Sequence, residues 1–396
     1  MSLNKYVVLR HQSIIVPTMD NLGTLARASS FALARDAVEI TEAELTLKER
    51  SDLRRDPRVR AIAPPMPLKL INPIDKKDVD PPSSPSSTWG VKAVRATETL
   101  YDGTDITVAV LDTGIDPNHP AFESVDLVQK NFTSEGENDT NGHGTHCAGT
   151  IFGQDVDGTR IGVARGVKRA LIGKVLGAGG GSSATIAQAI QWAVNEGANV
   201  VSMSLGIDFP GFVDLMVNTY NYDINLATSM ALEAYRANIN LFSELAQFVE
   251  AQGVFGDGTI IIAASGNESN RPDYEIAVAP PAAGTGVVAV GALQETESGL
   301  KEAYFSNSQV DISAPGVEIV SAKHGGGLTS MSGTSMATPH VAGVAALWAQ
   351  RQRSLIGRIE NRSLLAQLIA SGTTVSLIPK IEEEDVGTGI VQAPLG

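Results

Sequence analysis

Five short apolar runs, each closing on glycine or a polar cluster, set the strongest limit on what this chain can fold into: ITVAVLDTG, LIGKVLG, NVVSMSLG, TIIIAASGN and VVAVGAL. Their Val, Ile and Ala residues are continuous rather than alternating, which is the pattern of strands covered on both faces in a parallel sheet. Parallel neighbours need crossovers, and stretches with helical spacing such as SATIAQAIQWAVNEG stand between the runs. The repetition predicts an α/β fold: a doubly wound, mostly parallel sheet with helices on both faces. Functional residues of such sheets gather where strands end at their carboxyl edge. That rule places Asp112, Ser204 and Asn267 near one rim.

This texture begins at Trp89, and what precedes it is different. Residues 1–71 contain a single glycine, Gly23. KYVVL and VRAIAP read as strands there and LTLKERSDLRRD, 45–56, as a charged helix, so a small α+β N-terminal domain is expected. Residues 72–88, NPIDKKDVDPPSSPSST, have the composition of a linker and of a protease-accessible boundary. Within 89–396, residues 212–252 lack both Gly and Pro. Tyr235, Ile239, Phe242, Ala246 and Val249 recur at helical spacing, which predicts a core helix over 235–251 and a partly helical insertion over about 207–230.

Composition excludes several functions. A net charge of -14 argues against nucleic acid and anionic membrane as partners. No apolar run approaches the roughly 20 residues that span a bilayer. One cysteine, Cys147, precludes an internal disulfide and a multi-cysteine metal site. MSLNKYVVLR lacks the apolar core of a secretory signal, so the expected location is the cytoplasm or that of a trimmed secreted protein.

Four residues stand where nucleophilic catalysis needs them. Asp112 closes a buried strand in VAVLDTGID, although a strand-end Asp is also an ordinary turn former. His143 lies between glycines in NGHGTHCAG, at a helix start, and glycine lets other backbone approach the ring. Asn267, in ASGNES, follows a strand and either forms a turn or aims its amide at a developing oxyanion. Ser335, in GTSMATPHVAG, is either a plain helix start or a nucleophile at the positive end of a helix. His146 pairs with His143 at i, i+3, but no third metal ligand accompanies them. The run GAGGGSS departs from the dinucleotide fingerprint, because Ser182 stands where its last glycine belongs.

Together, in the order Asp, His, Asn, Ser, these stretches resemble the subtilisin-like serine proteases, the subtilase family. VAVLDTGIDPNHP resembles the family's Asp motif, NGHGTHCAGT its His motif and SGTSMATPHVAGVAAL its Ser motif, and the likeness spans roughly 89–350. Cys147 beside the His motif is similar to the proteinase K branch. The resemblance implies a serine endopeptidase acting on polypeptides through Asp112, His143 and Ser335, with Asn267 in the oxyanion hole and no cofactor for catalysis. It implies a groove with Gly179, Gly180 and Gly181 on one side and Ser204, Leu205 and Gly206 on the other. Gly333 is expected to make room for substrate backbone. The family's structural calcium is not expected where Ala121 follows His119-Pro120, but structural calcium stays possible: Asp155 and Asp157 read as a weak calcium site or a solvated turn. The first block resembles, more loosely, a subtilase propeptide: an intramolecular inhibitor whose Met66–Ile71 lies in the groove, with cleavage between about 70 and 88. The alternatives are a catalytically inactive subtilase serving as a binding or scaffold module and, on the glycine run alone, a nucleotide-dependent oxidoreductase.

Overall fold

The computed structural model describes residues 4–13, 36–79, 86–253 and 256–395. Its centre is a sheet of eight strands that includes all five apolar runs. Across the sheet lie Gly299–Glu302, Val287–Thr296, Ile260–Ala264, Val200–Met203, Thr107–Asp112, Arg169–Lys174 and Asp126–Asn131, with Ile312–Pro315 also paired to Val287–Thr296. Every pairing is parallel except the hairpin of Val287–Thr296 with Gly299–Glu302. The expected α/β sheet is therefore observed.

The continuous runs are apolar at every position because both faces are covered. Along Thr107–Asp112, Val108 and Val110 enter one buried cluster while Ala109 and Leu111 enter the other. The helix Thr334–Ile356 is buried throughout its first half and packs on five of the strands and on the helix His143–Phe152. Small residues make this possible: a Cβ on Gly343 would lie 2.6 Å from the Val163 Cβ. Among the described residues no helix is long and apolar enough to cross a membrane.

The first block is a three-stranded antiparallel sheet, Asp36–Glu44, Lys5–Ser13 and Val59–Ala63 in that order, with the helix Leu47–Leu53 before the last strand. The helix is shorter than expected at both ends. A capping box fixes its start: the Thr46 side chain accepts from the Glu49 N–H while the Glu49 carboxylate accepts from the Thr46 N–H.

Two expectations need correction. Part of the presumed linker is a strand: Asp75–Val79 pairs antiparallel with Leu328–Ser332, and Ser86–Ser87 pairs with Thr159–Arg160. Asp75–Asp78 stay exposed, so main-chain bonds to an available sheet edge order this segment without burial. Residues 80–85 lie outside the described residues. The long helix also begins earlier, running without a break from Ile224 to Gln252 behind Asp223, whose side chain accepts from the Asn225 N–H. Its buried face is Ala227, Ala231, Ala234, Asn238, Leu241, Phe242, Leu245, Ala246, Phe248 and Val249, so Phe242, Ala246 and Val249 are buried as expected. Tyr235 and Ile239 flank that face, only half-buried, because small alanines let the helix lie closer to the sheet than aromatic spacing implies. Ahead of it, Phe209–Asp214 is helical and Leu215–Thr219 forms a π turn.

Candidate active site

Asp112 ends its strand with a buried carboxylate. Its Oδ1 accepts from the Thr113 N–H at 2.7 Å and from His143 Nδ1 at 2.8 Å. His143 opens its helix between two glycines that serve different needs. Gly142 adopts the left-handed φ of 88°, whereas a Cβ on Gly144 would stand 2.1 Å from the Gly114 carbonyl oxygen. Burial opposes a charge on His143, yet the adjoining Asp112 carboxylate holds its pKa well above the usual value. Its Nε2 is buried without a hydrogen-bond partner among the described residues.

Asp139 is the residue that sequence reasoning missed. Fully buried, it accepts from Thr113 Oγ1 at 2.9 Å, the Gly142 N–H at 2.8 Å, and the Thr145 N–H and Oγ1 at 3.0 and 2.6 Å. Burial raises its pKa, but the hydrogen bonds led by Thr145 outweigh that and hold it below the usual carboxylate value. An acidic residue at the positive end of the His143 helix therefore ties that helix to the loop after Asp112. The available signal was an Asp four residues before His143, at a helix start.

Ser335 is the second residue of its buried helix. Four residues on, Pro339 has no N–H to donate back to the Ser335 carbonyl. That oxygen instead accepts from Ser204 Oγ at 3.1 Å and from Cys147 Sγ at 3.4 Å. The Ser335 hydroxyl donates to the carbonyl of Ile71 at 2.9 Å. Asn267 lies beside it. The Thr334 N–H can only donate, and it reaches Asn267 Oδ1 at 2.9 Å, so the amide Nδ2 faces outward and donates to the Asn72 carbonyl at 3.0 Å. Gly333 makes room here, but for that amide rather than for substrate backbone: a Cβ would lie 2.9 Å from Asn267 Nδ2.

A strand of the chain's own N-terminal region fills the cleft in front of these groups. Pro67–Leu70 runs antiparallel between Gly181–Ser182 and Leu205–Ile207, with Leu68 opposite Gly181, Lys69 opposite Gly206 and Leu70 opposite Leu205. Gly180 combines a φ of 79° with a close approach, since a Cβ there would be 2.5 Å from the Leu68 oxygen. Gly179 sits in the preceding turn, where an added Cβ would meet no atom within 4 Å. The Leu68 and Ile71 side chains are buried, Ile71 against Gly206. Past the site, the Ile74 N–H donates to the Ser332 carbonyl at 2.8 Å and leads into the strand Asp75–Val79.

Of the remaining candidates, Cys147 packs behind His143 and the others lie apart from this chemistry. His146 Nε2 meets the Ile319 carbonyl at 2.9 Å and joins the helix to the strand Ile319–Ala322, while burial pushes its pKa down to about 3. Cys147 stands one turn behind His143, with Sγ 3.8 Å from Nδ1, and burial pushes its thiol up. Asp112, His143 and Cys147 can each present one ligand atom within 4.8 Å of the others, a set whose donors are already engaged with one another. The Asp155 carboxylate pairs with Arg165 at 2.7 Å, and Asp157 with Gly158 forms a left-handed turn.

A family model described as the subtilase family matches residues 103–382. A thermostable alkaline protease of Halalkalibacterium halodurans is 31% identical over 325 residues, 81% of this chain and 74% of that protein. The major intracellular serine protease of Bacillus subtilis is 32% identical over 294 residues, covering 71% of this chain and 81% of that protein. Subtilisin-like protease 1 of Arthroderma gypseum is 33% identical over 314 residues, 74% of this chain but 54% of the fungal protein.

Proposed function

The chain belongs to the subtilase family, and on that premise we propose that it is a serine endopeptidase made as a self-processing zymogen, with Asp112, His143 and Ser335 as its catalytic residues. Ser335 Oγ attacks the carbonyl carbon of an extended polypeptide, and His143 Nε2 takes the hydroxyl proton. Asp112 fixes the imidazole tautomer through Nδ1 and favours the imidazolium. The Asn267 amide and the Ser335 N–H, at the open end of its helix, hold the oxyanion. Collapse breaks the C–N bond, His143 returns the proton to the leaving amine, and water then hydrolyses the acyl-enzyme by the same proton route. These steps use side chains, one backbone N–H and water.

One observation carries the reading: the Ser335 hydroxyl and the Asn267 amide both point at carbonyls of a strand held as an extended substrate is held. The zymogen part rests on how they are shared. In a reacting pose, one carbonyl offers its carbon to the serine and its oxygen to the oxyanion donor. Here the serine meets Ile71 and the amide meets Asn72, while Pro73 follows with a fixed φ. Residues up to Ile71 are held as a substrate would be, but the carbonyl at the serine is not the one at the amide, so the bond after Ile71 is not posed for attack, which is what an intramolecular inhibitor requires. On this reading 1–71 is the inhibitory domain, 72–88 carries the processing site, and 89–396 is the catalytic domain with an insertion at about 207–230.

Incubating the purified full-length protein with a fluorophosphonate probe tests the assignment. Time-dependent labelling of Ser335, together with appearance of new N-termini between about 70 and 88, is expected. A processed, folded chain whose Ser335 never reacts would instead be a binding module.

A further inference from the structure

The strand in the groove carries one charged side chain, and the body of the protein meets it with two opposite charges. Lys69 Nζ lies 3.2 Å from Asp208 Oδ1 and 3.4 Å from Glu268 Oε1. We propose that Asp208 and Glu268 form an acidic subsite selecting Lys or Arg at the third residue before the scissile bond of a substrate. The inference rests on the protease reading above, with Ile71 standing for the residue that precedes the cut.

Both carboxylates are positioned without help from the lysine. Asp208 directly follows the groove strand Leu205–Ile207 and caps the helix Phe209–Asp214 by accepting from the Gly211 N–H at 3.2 Å. Glu268 adjoins Asn267, and its Oε2 accepts from Asn307 Nδ2 at 2.8 Å, which leaves Oε1 turned toward Lys69. Among the described residues no other ion pair engages either group. When the strand leaves the groove, two preformed carboxylates therefore face the vacated position with no cation of their own. Backbone pairing of Lys69 with Gly206 fixes the register at which any substrate side chain reaches them.

The magnitude follows from exposure. Lys69 is 38% exposed and the acids 29% and 35%, so solvent screens each pair. Two such pairs acting together give a preference of roughly three- to tenfold in kcat/KM, with like-charge repulsion of an acidic residue adding discrimination in the other direction.

The test uses internally quenched peptides reproducing Met66–Ile71 followed by Ala-Ser, with Lys, Arg, Gln or Glu at the position of Lys69. They are assayed with full-length protein preincubated until its activity is constant. Lys and Arg peptides are expected to exceed the Gln peptide about three- to tenfold and the Glu peptide by more, with the preference shrinking as salt rises from about 50 mM to about 0.5 M. The double substitution Asp208→Asn, Glu268→Gln, which keeps the helix cap and the Asn307 contact, is expected to bring the Lys:Gln ratio close to one. Equal hydrolysis of the Lys and Gln peptides by the wild type overturns the subsite and leaves the protease reading standing. A Lys preference that survives both high salt and the double substitution overturns the assignment to these carboxylates. Cleavage of no peptide by protein that is also inert to fluorophosphonate overturns the protease reading, and the subsite with it.

Discussion

The Ser335 hydroxyl donates to the carbonyl oxygen of Ile71, 264 positions earlier in the chain, at 2.9 Å. The hydroxyl proton is thus committed to Ile71, while His143 Nε2 stands buried without a partner among the described residues. The simplest consequence concerns Ser335→Ala. The side chain is buried and small, so the variant should fold like the wild type, hydrolyse no peptide and stay full length. Mass spectrometry beside a peptide assay checks this, and wild-type turnover by the variant removes Ser335 from the mechanism.

Asn267→Ala separates binding from transition-state stabilisation. The amide's Oδ1 bonds hold it against Thr334, and its Nδ2 is the donor facing the groove. Its loss should lower kcat by roughly 10²–10³-fold, the cost known for removing such a donor in this family, with KM little changed. Steady-state kinetics on one peptide decide the matter. A change confined to KM would make Asn267 a substrate-binding group only.

The core and the rim were legible in the sequence because burial on both faces leaves a strand no polar alternation. Strands such as Ile260–Ala264 announce themselves by apolar content alone. The groove's occupant was legible only through family likeness. Pro67–Leu70 is ordered by pairing partners more than a hundred residues away, and Asp75–Val79 is a strand because Leu328–Ser332 offers an edge, not because its own side chains demand burial. Asp139 escaped for a related reason. Its donors converge only once the loop before His143 has folded, and its place just ahead of a helix start was the one local sign of them. The long helix was misjudged at its start because Tyr235 and Ile239 drew the apolar face to one side of the alanines that in fact define it.

Cys147 offers a chemical test of the site's packing. Its thiol lies 3.8 Å from His143 Nδ1 and donates to the Ser335 carbonyl left without a helical donor by Pro339. A mercurial attached to this sulfur must displace the His143 helix, so the wild type should lose activity on treatment. Cys147→Ala should remain active and resist the reagent. A folded but inactive Cys147→Ala would give the thiol a role beyond packing.

Acid should weaken the fold through its buried imidazoles. Burial pushes the pKa of His340, whose Nδ1 meets the Met336 carbonyl, down to about 4, and that of His146 down to about 3. Unfolded imidazoles protonate near 6.5, so between these values and that limit the unfolded chain binds more protons, and stability falls as pH drops. His143 has the opposite sign: its raised pKa contributes stability fully present below about 6.5 and lost as pH rises through the folded value. Comparing variant with wild type isolates one group. The thermal midpoint of His340→Gln should fall less between pH 7 and pH 4.5 than that of the wild type, whereas parallel curves would show that His340 does not titrate on unfolding.

The docked strand supplies the last and most demanding prediction. Its main-chain bonds to Gly181–Ser182 and Leu205–Ile207, the buried Leu68 and Ile71 side chains, and the Asn238 amide donating to the Pro64 carbonyl at 2.9 Å all join the first block to the rest of the chain. A fragment of residues 1–71 should therefore inhibit the processed protein when added separately, competitively with peptide substrate, because the extended strand is preorganised by the sheet that precedes it and loses little entropy on docking. Leu68→Asp in the fragment should weaken inhibition at least tenfold, since it would bury a carboxylate among apolar side chains. The dependence of the inhibition constant on that substitution is the measurement to make. If the wild-type fragment is folded yet leaves turnover unchanged, the first block is some other module and the zymogen reading falls.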